Sequence, residues 1–544
     1  LRRPREALRR AGPPLSVGAI AAGLFGLLPS RDLTAVDGAL RCVEVFYRGE
    51  IFFHENNHLL YPVYVRLWIG LLGWLGVDPE GPLEFLRLTQ AMNALAAGAA
   101  LAAFYVLAHA ASRSRHAALL ATLCLGLTRA FLLHATNSAE PMLGLTWSLL
   151  AFVCLLAGLR AERSVLLLAA GVLFALALAS YQSMLLPTPA ALILAALWGR
   201  PAGALLARRL AWLVGGGACG VVVIYAPAYA LMGAEGPGAM LQRFLALGGA
   251  PQAFFGVSAR NLLVLGLGLL ASIGPFLRDD FTGLRSLAAH IDDGTLPAIG
   301  LALLVVGFLT GAAGVAARRS WGTLAPPTRL ALAAGLAALV TSTAALPAWE
   351  PLYEKLWLQP LASGSLLLAV CFAQLPVTGA WRPARALVLA LPAVLSLNLL
   401  SVVEAHRRET PYLRQAEALA ARIAVPDLAV LEWDGISVLY RALWGFDPRR
   451  HSFDFPTQAV AHGPAVTEHL RQEVERAWRR GGRVYFVGVL DQPPEVWRVF
   501  LGGRAGVPHS ALAPYRAQAR RVASYAYRRG TVVLWQLEPR VSAL

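Results

Sequence analysis

The chain has 544 residues, of which 57% are hydrophobic and 15% charged, and its mean hydropathy is +0.55. Soluble domains carry about 25% charged residues, so a soluble multidomain enzyme is excluded. Apolar segments of about 20 residues mark a polytopic membrane protein instead. The formal charge of +16 does not signal a nucleic-acid partner. Basic residues sit in short clusters between apolar runs: Arg2 to Arg10, Arg113 with Arg115, Arg160 with Arg163, Arg208 with Arg209, Arg318 with Arg319, and Arg382 with Arg385. That is how loops kept on the cytoplasmic side are marked.

In chain order, the Arg-rich start followed by Leu15 to Leu28 predicts an uncleaved signal anchor with a cytoplasmic N-terminus. Further spans are predicted at 84–110, 116–133, 141–159, 164–181, 183–199, 210–232, 259–277, 296–316, 328–346, 355–374 and 385–403. The apolar segment 59–77 is read as a juxtamembrane or re-entrant helix, because counting it as a span would carry Arg113, Arg115 and His116 outside. The loop at 134–140, without Lys or Arg, then lies outside, as do Tyr181 and Gln182. Allowing for 259–277 to cross or to re-enter, about eleven or twelve spans are expected, with an outward C-terminus. Four of the five cysteines lie within apolar runs and no C-x-x-C occurs, so no disulfide framework or thiolate metal site is expected.

Beyond Val403 the composition changes. Helical stretches near 411–424 and 464–480 alternate with β-branched and aromatic runs at 428–433, 483–489 and 531–537. The fold class is therefore mainly α: a transmembrane helical bundle over 1–403 with a soluble, extracytoplasmic α/β domain over 404–544.

The chemistry concentrates in 31–57, between two apolar segments. Five acids (Asp32, Asp37, Glu44, Glu50, Glu55) stand there beside Arg31, Arg41, Arg48 and His54. Asp37, Arg41 and Glu44 have i, i+4, i+7 spacing, which places them on one face of a helix starting near Asp37. His54, Asn56, Asn57 and His58 crowd one polar turn before Tyr61-Pro62. A solvated loop whose charges pair with one another is one reading. The other makes Asp37 a general base at the membrane face, with neighbouring Arg and His offsetting a developing phosphate charge.

These residues resemble the GT-C superfamily of integral-membrane glycosyltransferases, relatives of the protein O-mannosyltransferases and the lipid A aminoarabinose transferases. The stretch Asp37-Gly38-Ala39-Leu40-Arg41-Cys42-Val43-Glu44 is similar to the acidic motif of that family's first external loop. The stretch Asn57-His58-Leu59-Leu60-Tyr61-Pro62 is similar to the element leading into its juxtamembrane helix. Ser138 to Met142 resembles a later acidic external motif, and Trp349 to Lys355 a late external loop that meets the carrier phosphate. Two departures stand out: Gly38 replaces the usual second acid, and Leu59-Leu60 replaces two prolines.

The resemblance implies sugar transfer from a polyprenyl-phosphate carrier to a hydroxyl of a glycan, lipid or protein acceptor, with inversion. It places the active site on the external face of a bacterial cell membrane. Asp37 would be the base, and Glu140 would position the acceptor. Arg41, His58 and Lys355, the only lysine in the chain, would meet the leaving phosphate. Glu44, His54 and Tyr61 complete the expected binding residues. No cofactor is expected, and the missing second acid argues against a divalent metal. A transporter or lipid flippase, or a silent membrane scaffold, are the rival readings.

Overall fold

The computed structural model describes residues 2–30, 36–48, 58–199, 201, 203–234, 236–245, 259–274, 324–348, 354–374, 382–400, 403, 411–432, 435–445, 447, 449–497, 501, 505–527 and 530–539. Its contacts group into two compact units. The first comprises Leu1–Ser30, Phe52–Leu75 and Arg87–Glu404; the second comprises Arg31–Ile51, Gly76–Leu86 and Ala405–Leu544.

Helices come in chain order as α1 (Arg2–Gly26), α2 (Val36–Arg48), α3 (Tyr61–Trp74), α4 (Pro82–Ser112), α5 (Arg115–Gly126), α6 (Arg129–Thr136), α7 (Glu140–Ala161), α8 (Ser164–Ser180), α9 (Thr188–Leu197), α10 (Gly203–Leu231), α11 (Gly236–Leu245) and α12 (Ala259–Ile273). They continue as α13 (Pro326–Ala344), α14 (Glu354–Gln374), α15 (Arg382–Leu395), α16 (Pro411–Arg422), α17 (Gly435–Trp444), α18 (Phe455–His462) and α19 (Val466–Arg479).

Among the described residues four helices are long and apolar enough to cross a membrane: α4, α7, α10 and Lys355–Gln374 within α14. The expected straight span at 116–133 is instead α5 and α6, bent by 68°. Thr128 breaks it, because its hydroxyl donates to Leu125 O at 2.8 Å and accepts from Phe131 N, capping a new helix. At 183–199 a 3-10 turn, Gln182–Leu185, comes first, and Pro187 and Pro189 delay the α-helix to Thr188. Helix α3 has 14 residues. At 1.5 Å per residue that is about 21 Å, short of a hydrocarbon core of about 30 Å. The expected span 296–316 lies outside the described residues.

Small residues set how closely this unit packs. A Cβ on Gly171 of α8 would collide with Leu213 O, and one on Gly216 of α10 would collide with Leu168 O. The two backbones therefore touch, as in glycine-mediated membrane helix pairs.

The second unit is built on a five-stranded sheet, order β2-β1-β3-β5-β4. Its strands are β1 (Leu428–Leu431), β2 (His451–Asp454), β3 (Val484–Val487), β4 (Ala519–Tyr527) and β5 (Gly530–Leu537). β2, β1 and β3 are parallel, while β5 runs antiparallel to β3 and pairs with β4. The three expected strand runs correspond to β1, β3 and β5. Phe453, Phe455, Leu470, Val474, Phe486 and Trp497 form its core.

Helix α2 belongs to this unit. Its Cys42, Val43 and Val45 are buried, and Phe46 meets Phe85 edge-on at 5.3 Å. The Tyr47 hydroxyl donates to Leu443 O of α17 at 2.8 Å. Partial burial raises the Tyr47 phenol above its ordinary pKa, with the Asp447 carboxylate adding to the effect.

Candidate active site

In the first unit, the loop before α7 is held by polar side chains of α4. Asn93 Nδ2 donates to both Asn137 O and Ala139 O at 2.7 Å, and Thr89 and Ser138 share a hydroxyl hydrogen bond of 2.6 Å. Gln90 Nε2 donates to Ser30 O, whose own N–H donates to Thr136 O, each at 2.8 Å. These ties fix extended backbone at Ala139, from which α7 starts with Glu140-Pro141. Proline suits the first turn, and a carboxylate there meets the positive end of the helix dipole. Glu140 is 2% exposed.

One turn along α7, Gly144 admits the next element. A Cβ there would lie 3.0 Å from Tyr181 Cβ and 3.0 Å from Met184 Cγ. Tyr181 is the joint between α8 and the following 3-10 turn, and it is buried. His58 stacks on its ring, with centroids 5.4 Å apart and planes 12° from parallel. Lys355 Nζ lies 5.9 Å from the centre of the same ring, within cation–π range.

The backbone holds this arrangement on two sides. Leu60 N donates to Ala179 O at 3.1 Å, tying the His58 turn to the end of α8. Tyr61 is fully buried, and Tyr64 OH accepts from Ser180 Oγ at 3.4 Å. His134 of α6, also buried, lies within electrostatic range of Lys355.

Of the expected site residues, His58, Tyr61, Glu140 and Lys355 belong to the first unit, and His58 and Lys355 meet on one aromatic ring. Arg41 and Glu44 belong to the second, on α2, where they form an ion pair of 3.6 Å with Glu44 2% exposed. The helix through Asp37 exists as the spacing predicted. The Asp37 side chain, His54 and Trp349 to Pro351 lie outside the described residues. No group of three His, Cys, Asp or Glu side chains gathers among the described residues to hold a metal ion.

Sequence reasoning passed over Thr89, Gln90 and Asn93. Their signal was available: three polar side chains at i, i+1 and i+4 inside an otherwise apolar span, where such groups are expensive unless used. Tyr181, which the sequence marks only as a polar break between two apolar runs, stands at the centre of this cluster.

A cation and an imidazole at one buried aromatic ring, one helix turn from a buried carboxylate, form a setting for an anionic group with an attached polar substrate. No family model and no curated protein matches the chain. Among solved structures it is similar to ArnT from Cupriavidus metallidurans bound to undecaprenyl phosphate, with TM-score 0.54 and 14% identity over 98% of this chain and 100% of that one. The apo state of ArnT from the same organism is similar at TM-score 0.39 and 13% identity, with the same coverage. The chain thus has an ArnT-like fold.

Proposed function

We propose that the chain is a membrane glycosyltransferase that takes sugar from a polyprenyl-phosphate carrier and transfers it to an acceptor hydroxyl on the external face. The observation that carries this reading is the meeting of His58 and Lys355 on Tyr181, beside the buried start of α7. The undecaprenyl phosphate bound by the ArnT of similar fold supports a carrier of that class.

In this mechanism Asp37 removes the acceptor proton as the hydroxyl oxygen attacks the anomeric carbon. The bond from that carbon to the carrier phosphate breaks, and its electron pair leaves with the phosphate. Attack opposite the leaving group inverts the centre. Lys355 and His58 meet the phosphate charge as it develops, aided by Arg41, and Glu140 positions the acceptor. Fixed donors aimed at developing charge contribute most to such a step. Asp37 holds the base role on the resemblance of 37–44 to the acidic motif.

The test is transfer from a polyprenyl-phosphate sugar by the full chain in lipid vesicles. Asp37→Asn is expected to abolish the new glycosidic bond and Lys355→Met to lower its formation about 100-fold, while the protein stays folded. Unchanged transfer in Asp37→Asn removes Asp37 as the base. Movement of carrier lipid across the bilayer without any new bond would establish a flippase instead.

A further inference from the structure

At the other end of the first unit, α4, α7, α9, α13 and α14 line an apolar groove. Its walls are aromatic and aliphatic, with Phe104, Phe152 and Leu194 facing small residues such as Ala334 and Gly335. Its two ends differ in chemistry.

Towards Lys355 the groove is closed by a polar bridge. Gln359, one turn along α14 from Lys355, donates from Nε2 to Ser148 Oγ of α7 at 3.0 Å, in the interior. A hydrocarbon chain entering there would have to break that bond. The opposite end is basic. Arg160, the last basic residue of α7, lines the groove with an exposed side chain, and its guanidinium stands 5.8 Å from the centre of the Trp198 ring.

Behind them, buried Arg209 donates to Trp198 O at 2.6 Å and lies 3.8 Å from a Glu162 carboxylate oxygen. Arg209 is thereby occupied in holding the tryptophan in place. Arg160 has no carboxylate partner among the described residues. A tryptophan whose backbone carbonyl is held by a buried arginine, with a second arginine over its ring, forms a rim where an apolar slot meets a charged surface.

We propose that this groove binds an anionic phospholipid, one acyl chain in the slot and its phosphate on Arg160. Complementarity at both ends of the ligand argues for it: the slot takes a chain and no charge, the rim takes a negative charge. Basic pockets between membrane helices hold anionic head groups in this manner. The site is separate from the Tyr181 cluster and stands whether or not the chain transfers sugar.

Native mass spectrometry of the full chain, offered phosphatidylglycerol or phosphatidylcholine, tests it. Wild type is expected to retain phosphatidylglycerol about fivefold better, the worth of one well-placed arginine. Arg160→Gln, at an exposed position that leaves the fold intact, should bring the two lipids to parity. Ala331→Phe, which fills the slot, should lose both. An undiminished preference in Arg160→Gln overturns the proposal. So does displacement of the lipid by undecaprenyl phosphate to the same extent in wild type and Arg160→Gln, which would give the slot to the carrier's tail.

Discussion

The α8–α10 crossing and the five-stranded sheet solve the packing problem with opposite residues. In the crossing, Gly171 and Gly216 remove side chains so that backbones touch. In the sheet unit, Phe453, Phe455, Phe486 and Trp497 fill the space between sheet and helices. The difference follows from the solvent each unit meets. Large apolar groups gain about 25 cal/mol per Å² by leaving water, a gain that lipid tails do not offer. Between membrane helices the stabilising terms are close van der Waals contact and polar ties, such as those from Asn93 to the 137–139 backbone.

Substitutions can break that contrast. Phe486→Ala should have the largest effect, about 3–5 kcal/mol lost from the sheet unit, read by denaturant unfolding of the full chain in detergent. Equal loss from the helical signal would show that the units do not unfold separately. Lys355→Met comes next, with a fall of about 100-fold in glycosyl transfer and little change in thermal unfolding. Gly216→Leu should cost about 1–3 kcal/mol by overpacking, whereas an unchanged melting temperature would mean that the α8–α10 contact is dispensable. Gln359→Leu removes one interhelical bond and should cost about 0.6 kcal/mol, seen in the same melt.

The smallest effect lies at Asp447. Hydrogen bonding from the Arg449 side chain holds its carboxyl below the ordinary carboxylate range. The stability this contributes is present above the ordinary carboxylate pKa and is lost as pH falls through the depressed value. Asp447→Asn should flatten that acid-side slope in a pH series of melts and slightly lower stability at neutral pH, where the ionised carboxylate contributes.

Much of the first unit was legible because membrane solvent writes a coarse signal: long apolar runs, and charge between them. The charge count alone argued against reading α3 as a span. Glu140 and His58 stood out as polar exceptions at the ends of apolar segments. The break at Thr128 was also written locally, in a helix-capping threonine that the apolar run concealed. β4 was hidden because Arg520 and Arg521 interrupt its alternation and its register shifts between Arg521 and Ala523. Tyr181 had no local signal, since its meaning depends on His58 and Lys355, each more than a hundred positions away. The same holds for α2, whose partner α17 lies at the far end of the chain.

The hydrogen bond from Tyr47 to Leu443 joins residues 396 positions apart. Ribosomes elongate at about 5–20 residues per second, so the helix bearing Asp37 waits roughly 20 to 80 seconds for its support to be synthesised. Throughout that interval the membrane helices are already being inserted while α2 has Phe85 to pack against but not α17. The proposed transfer activity is therefore expected to appear only after translation has passed α17. A nascent chain arrested before that point should carry the acidic stretch in an unassembled state, open to protease.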